Sequence, residues 1–317
     1  MSTAYLFPGQ GSQSVGMGKA LAERFAPARA VFEAVDAALS QKLSALMFEG
    51  PEAELILTAN AQPALMAVSV AVTRVLEAEA GLDLGRDAAY VAGHSLGEYS
   101  ALAAAGSLAI EDAARLLRIR GDAMQKAVPA GEGAMAAILG LDFDAVSVIA
   151  SQAQSDLYLT GAICQAANDN GGGQVAISGT KAAVERAMEL AKLKGAKRAI
   201  LLPVSAPFHC VLMQPAADAM AEALAGVTIK APSAPLVANV LALAVRDPDE
   251  IRQRLVEQVT GAVRWRESVL YMSAHGVDDF VELGAGKVLA GLVRRIAEGA
   301  RLSSVGTPAD IAAYQTR

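Results

Sequence analysis

Apolar residues in this chain follow two alternating rhythms: short unbroken runs, and longer stretches repeating every three to four positions. The run Ala4-Tyr5-Leu6-Phe7 stops at Pro8-Gly9 and predicts a buried strand closed by a turn. Helical periodicity follows over about 17–39. It resumes after Asn60-Ala61-Gln62-Pro63, where the proline suits the first turn of a helix over 64–79. A second short strand is predicted at 88–92, then Gly93-His94-Ser95-Leu96-Gly97 and a helix beginning at Leu96. Residues 110–128 predict an amphipathic helix with Leu116, Leu117, Ile119 and Met124 on its apolar side. Strands alternating with helices in this way predict an α/β core with a mainly parallel sheet.

The style changes near Pro129-Ala130-Gly131. Strand 134–139, helix 143–154, strand 163–168, a polar glycine-rich turn at 169–173, strand 174–178, helix 181–194 and strand 197–202 follow one another. That order, β-α-β-β-α-β, is the split motif of a ferredoxin-like subdomain. Beyond Pro203 the α/β pattern resumes, with helices near 215–225, 250–259 and 265–274, a strand at 279–283, and a terminal helix after Gly284-Ala285-Gly286. The expected organisation is a large α/β catalytic subdomain, 1–129 with 203–317, carrying a small ferredoxin-like subdomain at 130–202. A cleft between two such bodies is where ligand sites tend to form.

Composition narrows the function. Of 317 residues 53% are hydrophobic and 19% charged, enough apolar material to bury a full core and too much for a disordered chain. The balance of 27 Lys+Arg against 33 Asp+Glu, net −6, gives no global attraction for polyanions, so nucleic-acid binding is not expected. The most apolar stretch, 88–110, is interrupted by His94, Glu98 and glycines, so no membrane span is expected, and the first residues do not read as a secretory signal. Cys164 and Cys210 form no CxxC pair and read as reduced thiols of a cytoplasmic protein. Three histidines without ligand spacing make no metal site.

The candidate chemistry centres on Gly93-His94-Ser95-Leu96-Gly97, a G-x-S-x-G between a strand and a helix. Small flanking residues allow the tight turn that exposes a serine at the carboxyl edge of a sheet, as in an α/β-hydrolase-like core. The following helix start offers an N–H and a favourable dipole for an oxyanion. A serine nucleophile needs a base. His94 adjoins Ser95 and would point away from it, while His275 reads as a capping residue at a helix end. His209 lies in an irregular loop at the cleft and reads equally as a catalytic base or a satisfied polar residue.

The chain resembles the acyltransferase family that includes the malonyl-CoA:acyl-carrier-protein transacylases of type II fatty-acid synthesis and the acyltransferase domains of polyketide synthases. The matching pieces are FPGQGSQ at 7–13, QPAL at 62–65, GHSLGEYSAL at 93–102, RGDAMQ at 120–125, GQVAISG at 173–179, LPVSAPFHC at 202–210 and ELGAGKVL at 282–289. They run in family order across nearly the whole chain. The resemblance implies that Ser95 is the acyl-accepting nucleophile and His209 the base, with Gln10 and Leu96 lending the backbone N–H groups of the oxyanion hole. It implies that Arg120 binds the malonyl carboxylate, a planar fork suiting a carboxylate in a way lysine cannot reproduce. It implies that the Gln258 main-chain carbonyl orients His209, a dyad in place of a triad. Asn168 and Asn170 fall in the family's N-x-N loop but are equally explained by Asx-turn chemistry. Phe208 before the histidine, where some members carry serine, accompanies malonyl over methylmalonyl choice in polyketide acyltransferases, one methyl being worth ~1–3 kcal/mol. Gly284-Ala285-Gly286 lacks a frequent central proline, which bears on loop stiffness and not on chemistry.

The implied reaction moves a malonyl group from malonyl-CoA, through a malonyl-serine ester, to the phosphopantetheine thiol of acyl carrier protein, with no bound cofactor and no metal. The enzyme is expected to be a monomer in the cytoplasm with no nucleic-acid or membrane partner. Acidic carrier proteins would need a local basic patch on this acidic chain. One candidate is Lys181, Arg186, Lys192, Lys194, Lys197 and Arg198; the other is Arg264, Arg266, Arg294 and Arg295. A serine hydrolase, and an idle carrier-docking module, are the competing expectations.

Overall fold

The computed structural model describes residues 2–316; Met1 and Arg317, the outer ends of the expected large subdomain, lie outside the described residues. Ten strands are present among them: β1 (Thr3–Phe7), β2 (Ala88–Gly93), β3 (Gly133–Leu139), β4 (Cys164–Asp169), β5 (Gln174–Thr180), β6 (Arg198–Leu201), β7 (Leu236–Ala238), β8 (Leu243–Val245), β9 (Asp279–Leu283) and β10 (Arg301–Val305). They form a six-stranded sheet in the order β10-β9-β1-β2-β7-β8 and a four-stranded sheet in the order β4-β5-β3-β6. All pairs of the larger sheet are parallel except the β7–β8 hairpin. The smaller sheet is antiparallel throughout, with the helices Phe143–Asp156 and Lys181–Leu193 as crossovers, which is ferredoxin-like.

The central strands are apolar on both faces, because each face is covered. Along β1, Tyr5 and Phe7 enter one hydrophobic cluster, while Ala4 and Leu6 enter another that holds Trp265 and Phe280. Burial on both faces is the usual condition of a parallel strand, and it explains why no polar alternation shows in the sequence. Phe7 pairs with Gly93, so the loops leaving β1 and β2 emerge side by side at the carboxyl edge. Ligands in open α/β sheets bind at this edge.

Several expectations need correction. The helix expected over 64–79 spans Thr58–Ala80, with Pro63 inside it. Proline costs a helix about 3 kcal/mol. Here the first turn is held by tertiary contacts, Asn60 Nδ2 donating to Glu54 O at 2.9 Å and the Thr58 hydroxyl lying 3.1 Å from that of Ser205. The helical periodicity over about 17–39 is carried by two helices, Lys19–Arg24 and Ala26–Leu39, because Phe25 is extended ahead of Pro27 in the first turn of the second. Leu96 caps the helix Gly97–Ala104 and is not its first residue. In the helix Ile110–Lys126, Leu116, Leu117 and Met124 are buried as expected, but Ile119 is exposed and Arg120 takes an inward position. Strands β7, β8 and β10 were not expected: β7 and β8 have three residues each, too few to show a period, and β10 is half polar.

Candidate active site

Ser95 follows β2 at φ 55°, a left-handed conformation that a residue with a side chain adopts at a cost of about 1–3 kcal/mol. Two glycines make the turn possible. A Cβ on Gly93 would fall 1.8 Å from the Gly97 carbonyl carbon, and one on Gly97 would fall 2.2 Å from Phe7 O. The strand, the turn and the next helix therefore pack backbone against backbone, which lifts Ser95 clear of the sheet edge. His209 is likewise held at positive φ, 59°, and is buried.

The Ser95 Oγ and His209 Nε2 atoms are 2.8 Å apart. On the other side of the ring, Nδ1 faces two carbonyl oxygens, Gln258 O at 2.9 Å and Gly261 O at 3.2 Å. Two acceptors at Nδ1 require the proton there, which leaves Nε2 free to accept from the serine. Burial, and then the neighbouring Arg120 guanidinium, press the imidazole down to about 3, against the two carbonyl bonds. His209 is thus neutral near pH 7 and able to take a proton. His94 points elsewhere, as expected: its Nε2 lies 3.0 Å from Asn170 Oδ1 and its ring sits beside Trp265. His275 lies at the end of the helix Trp265–Ala274 with Nδ1 2.7 Å from Tyr271 O.

Arg120 is brought to the same point by a close helix crossing. A Cβ on Gly121 would come within 2.6 Å of the Ala59 Cα, so only glycine lets the helix Ile110–Lys126 approach the start of Thr58–Ala80. Its neighbours on the helix have other duties: Arg115 pairs with Asp112 at the surface, and Arg118 donates to Asn60 Oδ1. Arg120 is 1% exposed and donates to Gln62 Oε1 at 2.9 Å, Gln258 Oε1 at 2.8 Å and Ser95 Oγ at 3.1 Å. Its Nε–H has no protein partner among the described residues.

The loop after β1 reaches the same edge. A Cβ on Gly9 would sit 2.6 Å from His94 O, which places the next residue, Gln10, beside the turn. The Gln10 side chain donates to Thr58 Oγ1 at 3.3 Å. Among the described residues the backbone N–H groups of Gln10 and Leu96 have no protein acceptor.

Sequence reasoning missed Asn239. Its Oδ1 accepts the Ser95 N–H at 2.8 Å and its Nδ2 donates to Gly93 O at 2.7 Å, so one side chain clamps both ends of the turn. It follows the three-residue β7 and belongs to none of the motifs quoted above, so no signal pointed to it. The side chains of Gln62, Glu98 and Gln258 were missed in a different way. The first two stand in quoted motifs and the third was assigned through its backbone alone.

The two basic clusters are now placed. Lys181, Lys192, Lys194, Lys197 and Arg198 are exposed, whereas Arg186 is tied to Asp156 and Glu189. In the other cluster Arg264 pairs with Glu267, and Arg266 with Asp169 at 2.7 Å. Arg294 and Arg295 are exposed, and Arg295 Nη2 donates to Gln174 Oε1 at 3.0 Å. The clusters meet at one end of the small sheet, where Gln174 pairs with Leu139 and Leu139 with Arg198. Gly171 and Gly172, beside the Asn170 that touches His94, pack against Ile296 and Arg295.

Residues 4–309 match the acyl transferase domain family. The chain belongs to that family. Among related acyltransferases, it is 47% identical over 308 residues to the malonyl CoA-acyl carrier protein transacylase of Bacillus subtilis (97% of this chain, 94% of that one). An acyl-carrier-protein-S-malonyltransferase from Bartonella henselae superposes with a TM-score of 0.96 at 57% identity, covering 100% of this chain and 99% of that one. A malonyl-transacylase solved in complex with a type II polyketide acyl-carrier protein superposes at 0.94 with 41% identity, covering 100% and 99%. The acyltransferase fold expected from the sequence, a mainly parallel sheet with a separate antiparallel one, is the fold observed. No helix among the described residues is long and apolar enough to cross a membrane.

Proposed function

We propose that this acyltransferase moves a malonyl group from malonyl-CoA to the phosphopantetheine thiol of an acyl carrier protein through a malonyl ester on Ser95. One observation carries the choice of acyl group. Arg120 is a buried cation beside Ser95 Oγ whose partners among the described residues, Gln62, Gln258 and Ser95, are all neutral. A buried guanidinium without a carboxylate bound to it is poorly compensated, and an acyl group ending in a carboxylate completes it.

The steps follow from the geometry. Ser95 Oγ attacks the thioester carbon while its proton passes to His209 Nε2, and the oxyanion forms on the Gln10 and Leu96 N–H groups. Collapse breaks the carbon–sulfur bond, the CoA sulfur takes the proton from His209, and the serine ester remains. The carrier thiol then gives its proton to His209 and attacks the ester. Collapse of that second intermediate returns the proton and the acyl oxygen bond pair to Ser95. Gln258 O keeps the ring oriented through both halves, and Arg120 fixes the far end of the acyl chain.

The reading further assigns a catalytic body at 1–129 with 203–317 and a small body at 130–202, working as a cytoplasmic monomer without a bound cofactor. Carrier protein docks on the cations gathered at the end of the small sheet, Arg198, Arg294 and Arg295 among them, next to the loop that touches His94. Intact mass after brief incubation with malonyl-CoA tests the whole reading. Wild type gains a malonyl adduct that holo carrier protein discharges, and Ser95→Ala gains none. An adduct that water clears as fast as carrier protein does makes the protein a hydrolase.

A further inference from the structure

Behind Ser95 and Arg120 lies a second buried charge that the reaction just described does not use. Glu98, in the first turn of the helix Gly97–Ala104, is 1% exposed. Its Oε1 accepts the Asn239 backbone N–H at 2.6 Å, and its Oε2 accepts from the Gln258 side-chain amide. The same amide nitrogen donates to Ser95 O at 2.9 Å and faces Asn239 Oδ1 at 3.3 Å, while the amide oxygen accepts from Arg120 Nη2 at 2.8 Å. Turned over, the amide would set its oxygen against three other oxygens and its NH2 against a guanidinium. Its orientation is therefore fixed by its surroundings.

We propose that Glu98 is a positioning residue that serves as the counter-charge of Arg120, held one amide away by Gln258 so that the guanidinium is partly compensated yet open to a substrate carboxylate. The inference rests on the reading of Arg120 given above. Burying a lone cation is costly, and a carboxylate placed directly on Arg120 would remove that cost by occupying the fork. The intervening amide divides the two requirements: its carbonyl takes one N–H of the arginine, its NH2 delivers the acid's influence, and the remaining N–H groups are left for the acyl group. Burial pushes the Glu98 carboxyl up and the Arg120 guanidinium down, while each favours the charged form of the other; with an N–H donor on Oε1 and another on Oε2, the carboxyl is held as the anion. The helix start adds to the support for a negative charge at Glu98.

The experiment compares malonyl-CoA and acetyl-CoA as donors, reading Ser95 acylation by intact mass over time in wild type, Glu98→Gln, Arg120→Ala and the double variant. Glu98→Gln keeps the size but turns an NH2 toward Asn239 or Gln258. The ratio of malonyl to acetyl acylation should fall about 10- to 100-fold, mainly through KM for malonyl-CoA. In the Arg120→Ala background the same change should leave the ratio where Arg120→Ala had already put it. Equal losses for both donors in Glu98→Gln would overturn the proposal, since a residue that only supports the fold has no preference between them. If Arg120→Ala itself leaves the ratio unchanged, the carboxylate reading of Arg120 fails first and this inference fails with it. Should Glu98→Gln not fold, by near-UV circular dichroism, Glu98→Asp carries the comparison: it retains the charge but draws it back from the amide. A partial fall in the ratio supports the proposal, and an unaltered ratio overturns it.

Discussion

The two sheets of this molecule place their charged groups in opposite ways. The large parallel sheet hides its strands, and at one edge a half-buried Ser95 meets His209, Arg120 and Gln258, which come from segments far apart in sequence and are withdrawn from water. The small antiparallel sheet presents one end to solvent, with exposed Lys197 and Arg198 at the near end of β6 and Ile200 and Leu201 further along it. Chemistry needs fixed groups in a low dielectric, whereas meeting a partner needs charge that water can see. Buried groups should therefore be intolerant one by one, and exposed cations should count only together.

The sharpest test of that contrast is Asn239→Ala. It removes the clamp on both ends of the Ser95 turn without touching a reacting atom. Acylation from malonyl-CoA should slow by about 100-fold, the scale expected when a nucleophile loses its alignment. Loss of less than threefold in a stopped assay would mean that the packed glycines hold the turn unaided.

On the small sheet the expected effect is far milder. Reversing Arg198 and Arg295 together to glutamate should raise KM for carrier protein about threefold to tenfold at low ionic strength and leave acylation by malonyl-CoA unaltered. The difference should vanish as salt is added. A penalty indifferent to salt would remove electrostatic docking from this face.

The smallest expected effect is none at all. An ordinary histidine with a pKa near 6.5 would lose about 25-fold of its neutral form between pH 7 and pH 5. With His209 pressed down to about 3 by burial and Arg120, kcat/KM for acylation should stay flat across that interval. An inflection near 6.5 would show the ring to be more hydrated than its surroundings imply. Stability, unlike the rate, changes over this interval. The unfolded histidine binds its proton near 6.5 and the folded one does not, so this contribution is present above 6.5 and is lost as pH falls toward 3.

The same contrast explains what could be read in advance. Every element of the small sheet was legible, because each segment has its own period and the turns between them are marked by glycine or polar residues. Ser95 was legible because the turn writes its geometry into Gly93 and Gly97. Arg120 was legible only through its motif, since its helix reads more simply with Ile119 turned inward, and the packing chose otherwise. Asn239 was not legible at all. Its partner in the chain is 144 positions away, and a strand of three residues gives no rhythm from which to place it. Long-range polar clamps of this kind leave no trace in any local window.

Gln258 holds His209 and Arg120 with different parts of itself. The carbonyl that steadies His209 belongs to the main chain and is common to all twenty residue types, while the grip on Arg120 belongs to the amide. On the proposed reading, a change of side chain at this position shifts which acyl groups are welcomed while the main-chain carbonyl goes on steadying His209, so the enzyme's appetite can drift in evolution without first passing through inactivity.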